Sequence, residues 1–439
     1  MSRRGLGVPH RSAARSAVQP VGPGLLLSLV AGRGAWRVAI NLSNVGLLAA
    51  WGAAVFAGYA SAVGRTVALV PLVSCGVEKA ALKLLPRARG ARPLLVAAFL
   101  AVGCLLALPF LAWVAAEAVW RRSGTEPLQL AVVPLQALLG LNLVLVGLAR
   151  ALGRPRHDPL NFLALAAALL LLTAMAAGLG LPPLGVVLAE LAAVAALDVA
   201  LLRALPVAPR FAGLRRRRGL LRGLLRTMAL IGAYDVAVGA SLSLVFVTLG
   251  ATHFRGESGL LLLVISLWSL LFNGFAYLLR VFQPQVSVAL SRAGGIQARQ
   301  QALRLARLAA VGVAGGLGLL GVAALLGGGL PAVLRGLPLP LAAALVLLPR
   351  LPVLALAGGA TWLLENADPG SLRLAATAAA GGLAGVAMLS AVLVPWLGAP
   401  GAMLALSGFE VVQVAVLLGG LSEARRPGAG QPPRSRSAA

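Results

Sequence analysis

Long apolar runs recur along this chain, each close to the roughly 20 residues that cross a hydrocarbon core of about 30 Å, and short polar or Gly/Pro-rich stretches punctuate them. Read in order, they predict twelve membrane-spanning helices over 35–56, 59–82, 93–119, 128–149, 159–179, 183–202, 227–250, 259–280, 306–327, 338–363, 374–396 and 400–421. Turn chemistry marks several ends: Leu181-Pro182-Pro183 and Gly398-Ala399-Pro400 are tight, uncharged turns that make adjacent helices antiparallel. The longest connections, 203–226 and 281–305, lie on the other side, and the first contains Arg215-Arg216-Arg217-Arg218. The expected organisation is a basic tail over 1–33 leading into a short interfacial helix, a six-helix lobe over 34–206, an Arg-rich linker over 207–226, a second six-helix lobe over 227–421 and a disordered tail over 422–439.

Composition fits a chain whose solvent is mostly lipid: 59% of residues are hydrophobic and 11% charged, against about 25% charged in soluble domains. Charge then sets orientation. Of 38 Lys and Arg, four (Arg121, Arg122, Arg255, Arg335) fall in the connections on the side of the Pro turns, and three (Arg65, Lys79, Arg350) lie inside spans. All the others lie in the tails, in connections on the tails' side, or at span ends beside them. By the positive-inside rule this predicts a multi-pass protein of the plasma membrane with both termini cytoplasmic.

The same asymmetry removes other readings. A formal charge of +26 attracts phosphate, yet the cations sit beside spans without the aromatic-interleaved basic patch of a nucleic-acid binder, so no nucleic-acid partner is expected. Cys75 and Cys104 fall in spans and His10, His157 and His253 are scattered, so neither a disulfide nor a metal site is expected, and no cofactor. No G-x-x-x-x-G-K-[ST] occurs, which excludes a nucleotide-driven pump within the chain. An enzyme acting on a lipid-linked donor would need acid or base groups in its outer connections, where only His253, Glu126 and Glu257 are candidates, so no enzyme is predicted.

The halves are similar in pattern. Span 6 opens Gly185-Val-Val-Leu188-Ala189 and span 12 opens Gly401-Ala-Met-Leu404-Ala405. Gly58 precedes span 2 and Gly259 opens span 8. Six spans per half would run both halves in the same direction and leave a cavity between two lobes.

On these residues the chain resembles the polysaccharide-biosynthesis oligosaccharide flippases of the multidrug/oligosaccharidyl-lipid/polysaccharide (MOP) superfamily. The resemblance covers about residues 35–421. It is carried by Phe56-Ala57-Gly58-Tyr59 entering span 2, the Arg-rich exit after Leu84-Leu85-Pro86, and Leu148-Ala149-Arg150-Ala151-Leu152-Gly153-Arg154 leaving span 4. In the second half it is carried by Glu257-Ser258-Gly259-Leu260, by Phe282-Gln283-Pro284-Gln285-Val286-Ser287 and by Gly401 to Glu410. It implies an all-α, V-shaped transporter of two six-helix lobes. The implied function is transfer of a polyprenyl-diphosphate-linked glycan from the inner to the outer leaflet for cell-surface polysaccharide assembly. The chain lacks the two extra helices typical of the related lipid II flippases.

Ionisable groups inside spans are costly and mark candidate sites. Lys79 lies 21 residues after Gly58 and Arg280 lies 21 residues after Gly259, so the pattern places a cation at matching points of spans 2 and 8. Facing one cavity, the two would hold a diphosphate, with Arg65 as a third cation; snorkelling to headgroups is the competing role for each. Asp235 and Glu78 are candidate counter-charges or ion-coupling groups, with a proton and sodium both left open. Arg350, between Pro349 and Pro352, is expected to form a structural ion pair with Glu410, and Glu117 and Asp198 are read as interfacial. The expected partners are a lipid-linked glycan and membrane lipids. A multidrug or cation extruder of the same superfamily and a non-transporting membrane scaffold are the alternatives, and an extruder would line its cavity with acids and aromatics.

Overall fold

The computed structural model describes residues 23–85, 89–120, 126–211, 218–281, 295–326, 350–365 and 369–423. Long helices fill nearly all of it, because a backbone in lipid has no water to bond and must satisfy its own N–H and C=O groups. They are α1 (Pro23–Thr66), α2 (Leu69–Ser74), α3 (Val77–Leu84), α4 (Arg92–Trp120), α5 (Pro127–Ala151), α6 (His157–Leu179), α7 (Pro183–Ala204), α8 (Arg218–Gly250), α9 (Ser258–Val281), α10 (Gly295–Leu326), α11 (Leu351–Glu365), α12 (Pro369–Leu397) and α13 (Ala399–Glu423). Eight described stretches are long and apolar enough to cross a membrane. Leu42, Val45, Leu105, Leu171, Val311, Met388 and Trp396 are exposed on their outer faces. The chain is an all-α polytopic membrane protein.

Most predicted spans coincide with helices, and two regions differ. The turn expected at Ala57-Gly58 is absent: Phe56, Ala57, Tyr59 and Ala60 are buried within a helix, and the Phe56 and Tyr59 rings lie 6.0 Å apart. The backbone instead leaves the helical region at Gly52, φ 75° and ψ 167°, a conformation that a residue with a Cβ strongly avoids. The second predicted span is also not one helix. It breaks after Thr66 and again at Cys75-Gly76, where both residues are left-handed. Further along, α1 starts at Pro23, inside the stretch read as tail, and α8 and α10 start well before the apolar runs that predicted them. The first part of span 10, 338–349, lies outside the described residues.

Close contacts set the helix register. Gly32 lies against Pro159 and Gly46 against Thr173, so the first part of α1 runs parallel to α6. Gly64 meets Phe246, Gly239 meets Ala68 and Pro71, and Gly232 meets Cys75 and Gly76, so the broken second span runs antiparallel to α8. Small residues at these crossings let backbones approach, which matters in lipid, where hydrophobicity does not drive helices together. Asn44 donates to Ser266 Oγ at 2.8 Å, and Asn41 donates to the Ser266 carbonyl at 3.2 Å, tying α1 to α9. Helices of the first half therefore meet those of the second along α1, α2 and α3 against α8, α9 and α11.

Candidate functional site

Where α1 and α6 begin and α5 ends, the bundle has a basic end, and two charge networks lie side by side there, both running through α3. The first joins four helices of the first half. Arg33 of α1 grips Asp158 of α6 with two bonds, Nε to Oδ1 at 3.0 Å and a terminal nitrogen to Oδ2 at 2.9 Å, and reaches Glu78 of α3 at 2.8 Å. Arg150 of α5 lies 3.2 Å from Glu78 and 3.3 Å from Asp158. Phe162 lies under the Arg33 guanidinium, 4.8 Å to its centroid. Two cations and two acids each meet two partners, and Asp158 is fully buried. Gly147 permits this assembly: a Cβ there would stand 2.9 Å from the Glu78 Cα.

The second network crosses between halves. Lys79, buried on α3, places Nζ 3.0 Å from Asp235 Oδ2 of α8 and 3.0 Å from Glu365 Oε2 at the end of α11. One turn on, Lys83 donates to the Glu365 carbonyl at 2.8 Å. Glu78 and Lys79 are adjacent, and successive helical side chains diverge by about 100°, so one bonds the first half and the other the second. The Glu365 side chain is 2% exposed, whereas Asp235 keeps 28% accessible, so the bridge is sealed on one side and open on the other.

Of the three cations expected to bind a diphosphate, Lys79 and Arg65 lie at opposite ends of one helix pair. Arg65, exposed in the last turn of α1, packs against Gly250 at the far end of α8. Asp235, beside Lys79, stands 15 residues earlier on that helix, about 22 Å away at 1.5 Å per residue. The depths of Arg65 and Lys79 along one antiparallel pair therefore rule out a shared ligand the size of a diphosphate. Arg280 lies in α9, but its side chain is outside the described residues. Lys79 meets Asp235, one of the two acids named as candidate counter-charges, and Glu365, which was not named.

A third charge cluster lies at the other end of α11. Arg350, directly before its first residue, donates to Glu410 of α13 at 2.6 and 3.2 Å and to the Leu406 carbonyl at 3.0 Å, and it covers the Trp268 ring at 5.4 Å. Pro352 occupies the first turn of α11, where its missing N–H costs no helical bond. Asp198, read as interfacial beside Arg203, is instead buried: Asn142 donates to it at 2.8 Å and also exchanges bonds with Asn161. A helical stripe of Val187, Glu190, Val194, Asp198 and Leu201 turns it inward.

Sequence reasoning missed Glu365, Asp158, Arg33 and Arg150 as a site. Glu365 lies two residues beyond the predicted end of span 10, and Arg33 belongs to the stretch read as tail. A usable signal was present in the rarer sign: only 12 acids accompany 38 basic residues, so an acid near a basic span end is the exception that needs a partner.

No protein-family model matches the chain, and no curated relative does. Among solved structures, the MATE multidrug transporter DinF-BH, solved as a complex with a ligand, is 16% identical with TM-score 0.60, covering 92% of this chain and 96% of that one. A MOP superfamily transporter from Pyrococcus furiosus, described as having a binding pocket of reverse polarity, is 15% identical with TM-score 0.55 over 91% and 94%. The lipid II flippase MurJ in an inward closed conformation is 12% identical with TM-score 0.54 over 88% and 87%. At such identities the likeness is one of fold, and the fold of this chain is that of the MATE and MurJ transporters of the MOP superfamily.

Proposed function

We propose that this protein is a membrane transporter that moves a polyprenyl-diphosphate-linked oligosaccharide from the inner to the outer leaflet by alternating access. The moving bodies are the lobes 34–206 and 227–421, joined by the linker 207–226, and the basic end faces the cytoplasm. The observation that carries the reading is the Lys79 bridge: a cation of the first half held by Asp235 and Glu365 of the second. An ion pair across two bodies that must part can be made and broken without unfolding either, and a diphosphate is the anion that would compete for the lysine. The fold shared with a lipid II flippase supports a lipid-linked substrate. Assembly of a cell-surface polysaccharide would consume the flipped glycan.

One observation favours a second reading. Once Lys79 swings away, Asp235 and Glu365 leave two carboxylates facing the gap, which would suit an organic cation, and a protein of the same fold is a multidrug transporter. Reconstituted full-length protein in liposomes separates the two, with ethidium as the organic cation. The flippase reading expects a fluorescent polyprenyl-diphosphate glycan to become accessible in the opposite leaflet, faster than in empty vesicles, while ethidium stays put. Ethidium movement without glycan movement overturns it in favour of the extruder. Movement of neither, with folded protein, leaves the scaffold.

A further inference from the structure

The segment that carries both networks is set off from α2 by a break in the helix, and Val77, Ala80 and Ala81 pack it into the core. A Cβ on Gly76 would stand 2.7 Å from the Gly232 nitrogen and 2.8 Å from the Met228 carbonyl, so the break is wedged against the α8 backbone. Cys75, φ 35°, is the only non-glycine with positive φ among the described residues, a conformation that costs of order 1 kcal/mol and persists where surrounding structure imposes it. The Cys75 amide closes α2 on the Pro71 carbonyl, and the Ala80 amide opens α3 on the Gly76 carbonyl. The eight residues of α3 are thus a rod about 12 Å long that starts at a two-residue break and is packed between α5 and α8.

The two sides of that rod are held differently. Glu78 is fixed by two guanidiniums, planar forks that match a carboxylate and stay charged. On the other side, Lys79 and Lys83, four residues apart on one face, present two ammonium groups to Glu365 and Asp235. An ammonium is a point charge that exchanges one oxygen ligand for another without a fixed geometry. The accessible flank of Asp235 gives a competing anion its entry.

We propose that α3 is an anion-operated latch between the lobes. A diphosphate bound by Lys79 and Lys83 displaces Asp235 and Glu365 from Lys79 and so breaks the bridge to the second half, while Glu78 keeps α3 on the first. This rests on the diphosphate substrate proposed above. The ligand is a diphosphate, whether a lipid headgroup or the free ion.

Hydrogen exchange of the full chain in nanodiscs tests it, read on peptides spanning 77–84 and the end of 351–365. The probes are inorganic diphosphate, polyprenyl diphosphate placed in the bilayer, and sulfate as control. Either diphosphate should speed exchange in both peptides about tenfold, as expected when a local opening becomes cheaper by about 1.4 kcal/mol, and sulfate should not. A response to the lipid alone identifies a headgroup site, and a response to both identifies a site for the soluble ion. Lys79→Gln should exchange fast without any probe, and the swap Lys79→Glu/Glu365→Lys should regain protection and lose the response. If Lys79→Gln disturbs α12 and α13 as well, Asp235→Asn takes its place and should show a partial opening at the same two peptides. The latch is wrong if neither variant opens these peptides, or if both diphosphates leave the unmutated chain protected. A diphosphate response without glycan transport sinks the flippase reading alone, and glycan transport with an unresponsive α3 sinks the latch alone.

Discussion

Two ionic networks share one short helix, and they use different cations. In the first, arginines hold two acids that belong to the same half, with bidentate geometry on the fully buried Asp158. In the second, a lysine holds two acids of the other half, one of them partly accessible. Planar forks fix orientation and suit contacts that never change, and an ammonium suits a contact that must be exchanged. Buried ion pairs add little net stability against an apolar replacement, but breaking one leaves a stranded charge. The first network therefore bears on whether the half folds, and, on the alternating-access function proposed above, the second on how the halves move.

The sharpest way to break this comparison is Asp158→Ala, which leaves two guanidiniums to share the single carboxylate of Glu78. It should cost about 3–5 kcal/mol, read as a lowered Tm in tryptophan-monitored unfolding, with transport per folded molecule near normal. Loss of transport at unchanged Tm would contradict the division of roles. Arg350→Lys comes next: the lysine cannot reproduce two bonds to Glu410 and the stack on Trp268, so a loss of about 1–2 kcal/mol is expected, in the range for charge-assisted hydrogen bonds. Lys79→Arg should leave the unfolding free energy within about 0.5 kcal/mol of the parent and slow glycan flipping several-fold, because a forked cation holds the carboxylates more firmly. Equal or faster flipping would remove the argument from exchangeability. The smallest effect belongs to Arg65→Ala. That exposed residue, distant from the bridge, should change the unfolding free energy by no more than about 0.5 kcal/mol and leave flipping rates intact.

The positions of the spans were legible because lipid imposes a length and a composition on each crossing, and prolines at 182, 183 and 400 marked the turns. The bend at Gly52 was not legible. Phe56-Ala57-Gly58-Tyr59 carries a glycine and an aromatic that suit a turn, yet Phe56 found a fully buried place and its stretch stayed helical. The depth of Asp198 was misjudged for a related reason: sequence gives the distance to a span end but not the side that faces Asn142. Glu78 and Asp235 were visible as acids within spans, but their partners come from helices 45 or more residues away in sequence. Glu365 stood just past a boundary, where a two-residue error changes a residue from interior to loop.

What the sequence determined by itself is the solvent each segment lives in, since hydropathy and the placement of arginines act locally, within one crossing and its flanks. What only the tertiary structure decided is which charges meet. Lys79 pairs with Asp235 and Glu365 because α8 and α11 pack on its side of a broken helix, while adjacent Glu78 turns to Arg33 and Arg150. Coulomb attraction in a low-dielectric interior is strong only at contact distance, and contact distance is a property of packing.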